Sequence, residues 1–364
     1  MTHFPIGPRA VPRACFAILI LPVAVYLLHE FVMIPQFGVP VLNVTADDLL
    51  QPVKEGVSLA FTEAAGRSRF IGAFLFFCMV VVIALVCFAA ELLRDLDAAT
   101  RRNALLVFVA VQIPVVASVF SEGQWRAHDQ LGEGVLRAVM AQGDMPFCDT
   151  WGQRYALCGP DAGVEVFGIA MHVVTIMSGL GVSALILGMI LSLARPKAAV
   201  DLTLRAFDHG RNQRIARRFL YLAGLMMSAG LYLTMSWMHW PFPMLGEAVA
   251  ASYKDVINAQ LFYYGIFYTL LIITGFGPVI FLAARRSDAL AMESVLSDLR
   301  HPPQDDKAKT GGAARMPRDV PSLSRMDAWK EAHGLRISFT EAIQALVATG
   351  SPLLTAFAGS FSPL

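Results

Sequence analysis

Long apolar runs alternate with polar segments along most of the chain, and six of the runs match the ~20 residues a helix needs to cross a bilayer core. They are Cys15–Ile34, Phe70–Ala90, Asn103–Phe120, Val166–Ala194, Phe219–Trp240 and about Ala259–Ala284. The pattern predicts an all-α polytopic membrane protein with six transmembrane helices, helical extracytoplasmic loops and a cytoplasmic C-terminal tail. The first run is longer than the ~7–15 apolar residues of a signal peptide and ends in bulky side chains, so it reads as an uncleaved span.

Beyond the sixth run the helical pattern continues through residues 287–300, where Met292, Val295, Leu296 and Leu299 form an apolar stripe. A Pro-, Gly- and charge-bearing linker follows at 301–321, with the composition of a disordered tether. The last segment, 322–364, differs: Ser338 and Glu341 have capping-box spacing, and no charge follows Glu341. A stretch this apolar is predicted to dock, as two short helices broken at Gly350-Ser351-Pro352, through Leu346, Leu353, Leu354 and Phe357.

Charge sets the sidedness. Of 29 Lys and Arg, two precede the first span, three follow the second, seven lie in Arg195–Arg218 and ten follow the sixth, leaving seven for the other side. Cytoplasmic loops attract Lys and Arg, so both termini are expected in the cytoplasm. Cys148 and Cys158, in CDTWGQRYALC within the polar loop Ser121–Glu165, are expected to form a disulfide on the outer face, because disulfides persist in oxidising compartments. Lysines number six against twenty-three arginines, a skew that hints at a GC-rich bacterial genome, and the expected location is a bacterial inner membrane. With 56% hydrophobic residues, 16% charged and a net charge of +1, a nucleic-acid partner is not expected.

Packing signals include Ala184, Gly188 and Ser192 at four-residue spacing, and Gly224 with Ser228. The second run lacks both polar residues and small-residue steps, which places it on the lipid-facing side. Gly275, Gly277 and Pro278 mark a predicted hinge, since proline removes an intrahelical hydrogen bond. Each outer loop contains Glu, a small residue and Val (Glu55, Glu133 and Glu247 lead them), a faint sign of three related hairpins.

Catalytic motifs are lacking. Ser178–Ser183 is small-residue packing rather than a serine-protease site, and Thr274–Gly277 lies at the wrong end of a span for a potassium filter. No cysteine spacing resembles a zinc or iron–sulfur site, and no cofactor is expected. What remains is a polar constellation in the outer halves of the spans: Glu30, His29, His172 and His239, with Met171 and Met238 nearby. An ionisable group inside a span is costly and marks a polar pathway, so Glu30 leads the set. Interfacial histidines ordinarily bond backbone carbonyls or water and methionines fill packing, so no metal site is expected. Since imidazole with thioether suits copper and paired histidines suit haem, His172, His239, Met171 and Met238 are the residues that a metal would use.

The resulting expectation is a non-enzymatic, self-associating, channel-like protein or membrane effector, controlled through its tail by a cytoplasmic protein partner. A transporter and a haem- or copper-bearing redox subunit are the alternatives.

Overall fold

The apolar runs form helices. The computed structural model describes residues 8–33, 59–120, 162–197, 201–300, 323–336 and 339–360. A helical stretch opens as 3-10 turns at Arg13–Leu19, continues as α1 (Ile20–Leu28) and ends in a π turn, His29–Met33. Then come α2 (Leu59–Leu93), α3 (Ala98–Phe120), α4 (Ala162–Leu191), α5 (Leu202–Met238), α6 (Glu247–Arg300), α7 (Leu323–Ala332) and α8 (Phe339–Ser360). Two short strands, β1 (Arg9–Ala10) and β2 (Arg195–Pro196), pair antiparallel. The protein is all-α and polytopic in character: among the described residues, seven helices are long and apolar enough to cross a membrane.

Helix α2 shows how the bundle is sorted. Phe70, Ala73, Phe77, Val80, Ala84 and Phe88 recur at three- and four-residue spacing and are buried, against α4 and α5. Leu75, Met79, Val82 and Val86 on the opposite side are exposed. One face therefore packs and the other suits lipid. Helix α4 is buried all round from Ala184 to Ala194. A Cβ on Gly188 would stand 2.3 Å from the Phe219 ring, so this crossing of α4 and α5 requires glycine.

The tail departs most from expectation. Helix α8 is one helix of 22 residues running unbroken through Pro352, not two short ones. It lies in the groove between α5 and α6. Glu341 pairs with Arg217, Gln344 accepts from Tyr221 at 3.3 Å, Ala348 abuts Gly224 and Gly359 abuts Met235. The sequence offset stays at 123–124 along these contacts, so α8 runs parallel to α5. Thr340–Gly359 is accordingly the seventh candidate span. Against the bundle, Ala348, Ser351, Pro352 and Ala356 meet Gly224 and Gly265, whereas Leu346, Leu354 and Phe357 are 73%, 58% and 57% exposed. In lipid, large apolar side chains gain nothing by leaving the surface, and helices approach through small ones. Leu353 borders Gly265, and Ser338 lies outside the described residues.

Helix α6 is likewise continuous through Pro278; Gly275 packs on Ile186, and Gly277 has open space around it. Its extension carries α7, joined through Ala291, Val295, Met326 and Trp329. Gly334 closes α7 with a φ of +65°, while the Leu335 N–H bonds back to the Lys330 carbonyl at 2.7 Å.

Candidate functional site

A cavity of about 170 Å³ lies among α1, α3, α4, α5 and α6. Its wall is mostly apolar and runs along α4 from Met171 to Ile186, about 22 Å at the helical rise. Its polar groups come from two sources. Thr175 and Ser178 donate to carbonyls one turn back in α4, and Ser183 accepts from Gln112 of α3 at 2.8 Å. Their oxygens keep acceptor capacity toward the cavity.

The second source is the π turn, which sets His29 and Glu30 side by side in the wall. Such turns are rare and recur at functional sites. Both residues are buried, at 6% and 3% exposure. His29 stacks on Phe267 with centroids 3.7 Å apart, and its Nδ1 lies 2.7 Å from the Tyr263 hydroxyl. Tyr26, Tyr264 and Tyr268 complete an aromatic collar around this end. An ionisable group buried at this depth is costly unless it is partnered, which sets Glu30 apart from the apolar wall.

The other polar centre sits at the arginine-rich end. Backbone bonds from Arg9 to Asp95 (2.8 Å) and from Asp97 to Arg9 (2.9 Å), with the β1–β2 pair, tie the N-terminal segment across two interhelical connections. The Arg9 side chain is buried; it meets Asp208 at 3.2 Å and also bonds Asn212 Oδ1 and the Ala194 carbonyl. Burial lowers the Arg9 guanidinium from its ordinary pKa, and Asp208 opposes that shift. Asp97 is held down to about 2 by hydrogen bonds from Lys197 and Thr100. One turn away, His209 Nε2 contacts Ser287 Oγ at 2.9 Å, and Gln213 Nε2 donates to that oxygen at 2.9 Å.

The predicted residues are dispersed. Glu30, His29 and Met171 share the cavity, while His172 is exposed. His239 ends α5, its Nδ1 donating to the Met235 carbonyl at 2.8 Å, and the adjacent Met238 is buried in the core. Among the described residues, no group of three His, Cys, Asp or Glu could hold a metal ion. Cys148 and Cys158 lie outside the described residues, as do Glu55, Glu133 and the 301–321 linker.

Sequence reasoning passed over Arg9, Asp208, His209, Asn212, Gln213 and Ser287. A signal existed: Asp208, His209, Asn212 and Gln213 repeat at helical spacing, a polar stripe leading into an apolar helix. No protein-family model, curated protein or solved structure matches this chain.

Proposed function

We propose that the protein is a non-enzymatic integral membrane protein that holds and passes a small solute along the cavity lined by Glu30 and His29. The observation that carries this reading is the cavity's length: about 22 Å of a hydrocarbon core ~30 Å thick, with a buried carboxylate at one end. The Arg9–Asp208–Asn212 cluster takes in the Ala194 carbonyl, just past the inner end of α4, and acts as the inner closure. A chamber closed on the inside favours gated, carrier-like passage over a permanently open pore.

The excess of Lys and Arg supports placing this closed end in the cytoplasm of a bacterial inner membrane. Helix α8, running parallel to α5, then carries Gly359 to the outer side. Its bulky face, Leu346, Leu354 and Phe357, meets lipid. The tail is thus a seventh span rather than a cytoplasmic docking arm.

Cysteine accessibility tests this proposal. Single cysteines at Thr175, Ser178 and Ser183, in a chain with all five native cysteines replaced, are treated in native membranes with a small cationic thiol reagent. All three are expected to react, Thr175→Cys fastest, while a lipid-facing control at Leu106 stays unmodified. Cavity cysteines no more reactive than the control would rule out a hydrated pathway.

A further inference from the structure

We infer that a second ligand site lies where the tail meets the bundle, and that it takes a small neutral amphipathic molecule bearing one hydroxyl or N–H donor. A cavity of about 260 Å³ is walled by α5, α6, the turn after α7 and the start of α8. Its body is apolar: Met189, Ala216, Leu220, Ile280, Leu335 and Ala345. At its polar edge is Gln213, more than nine-tenths buried at 8% exposure.

The amide of Gln213 is half used. The Ser287 hydroxyl donates to the Ala283 carbonyl at 3.3 Å, so its oxygen is the acceptor for the Gln213 Nε2 donor at 2.9 Å. This order of donors leaves Oε1 on the other side of the amide, buried and, among the described residues, without a hydrogen-bond partner. A buried unsatisfied carbonyl costs about 1–3 kcal/mol, and a ligand that donates a hydrogen bond relieves that cost.

Charge in the wall selects neutrality. Arg217 pairs with Glu341, Lys330 with Asp288 and Asp327 at 3.0 Å each, and Arg336 with Glu331 at 2.9 Å. Each of these cations is already matched, so an ionic ligand would have to break a pair. For size, a cavity of ~150 Å³ holds benzene, which scales to about ten non-hydrogen atoms here. Such a ligand would touch both the bundle and the tail, and so would clamp α8 to α5 and α6. The same chemistry exists in a free alcohol dissolved in the membrane and in the glycerol end of a diacylglycerol.

The test uses full-length protein in nanodiscs. Binding of 1-octanol, nonane and dioleoylglycerol is followed by ligand-observed NMR and by the thermal midpoint. We expect saturable, one-to-one binding of octanol or of dioleoylglycerol, with nonane at least tenfold weaker. Saturation by octanol alone assigns a free solute, and saturation by dioleoylglycerol identifies the lipid. Gln213→Leu, which keeps the volume but removes the acceptor, should weaken binding at least tenfold. Ala345→Phe, which fills the cavity without touching the polar network, should abolish it; a fold check on each unliganded variant accompanies both. No saturable binding of either alcohol to the wild type, or an unchanged affinity in Gln213→Leu, would overturn the assignment.

Discussion

At the arginine-rich end, Arg9 meets Asp208 at 3.2 Å with side chains only 4% and 3% exposed, whereas the crossing of α4 and α5 turns on Gly188 receiving the ring of Phe219. The first contact is polar and the second is purely steric. The difference follows from the surroundings. At bilayer depth the hydrophobic effect cannot drive helices together, so shape decides, and small residues let backbones approach. At the rim, water competes for every charge, so a pair matters only when it is buried. The two regions should therefore fail in different ways.

Breaking the rim pair is expected to have the largest effect. Asp208→Ala leaves the Arg9 guanidinium buried against Asn212 and the Ala194 carbonyl, and should cost about 3–5 kcal/mol. Removing both charges, as in Arg9→Met with Asp208→Leu, should recover at least half of that loss, because no stranded charge remains. Reversible unfolding in mixed micelles measures both. A double variant as unstable as Asp208→Ala would mean that the rim depends on the ions themselves.

Sequence patterns made one of these regions readable and hid the other. Apolar periodicity announced the helices, and the small-residue spacing at Ala184 and Gly188 pointed to a real crossing. The tail follows the same rule, although Gly350-Ser351-Pro352 reads as a break in sequence. In fact Pro352 is buried within α8, beside the Gly265 contact. In water bulky residues drive docking, whereas in lipid small ones let helices approach. The rim was harder to read. Arg9 and Asp208 lie 199 positions apart, and nothing local in either neighbourhood names the other. Glu30 was legible as an unusual charge within a span, but its aromatic collar of Tyr264, Phe267 and Tyr268 comes from a distant helix.

Next in size come steric changes at bilayer depth. A Cβ on Gly224 would stand 2.4 Å from the Ala348 carbonyl oxygen, so Gly224→Ala should cost about 1–3 kcal/mol and loosen α8 from its groove. Gly350→Ala is the matched control. Nothing lies within 4 Å of its added methyl, and a mid-helix glycine replaced by alanine should gain about 0.5–1 kcal/mol. Protease sensitivity of the tail separates the two variants. Equal protection in both would show that α8 does not rely on close approach at Gly224.

Acid should loosen the rim gently and leave the steric contacts untouched. Asp97 titrates at about 2 in the fold against an ordinary value of 3.8, because Lys197 (2.6 Å) and Thr100 (2.9 Å) stabilise its charged form. A depressed carboxyl contributes stability above its unfolded pKa and loses it as pH falls through the folded one, here between about 4 and 2. Lys197 is half exposed, so after screening about 1 kcal/mol is expected. Asp97→Asn should remove this acid-sensitive increment; an unchanged pH profile in the variant would assign the limb to other groups.

The smallest effect is predicted for the pair that looks best by distance. Arg205 reaches Glu293 at 2.7 Å, closer than Arg9 lies to Asp208, and it links α5 to α6 at the same arginine-rich end. Its side chains are 40% and 51% exposed, so water solvates both ions before and after the pair forms. Exposed pairs of this kind yield about 0.2–1 kcal/mol, less than the rim pair despite the shorter contact. A double-mutant cycle with Arg205→Ala and Glu293→Ala should return a coupling in that range, fading as salt rises, because the Debye length falls from about 8 Å near physiological strength to about 3 Å at 1 M. A coupling of 2 kcal/mol or more that survives high salt would show that the low-dielectric environment of the rim extends outward to α6, and the line drawn here between buried and exposed pairs would have to move with it.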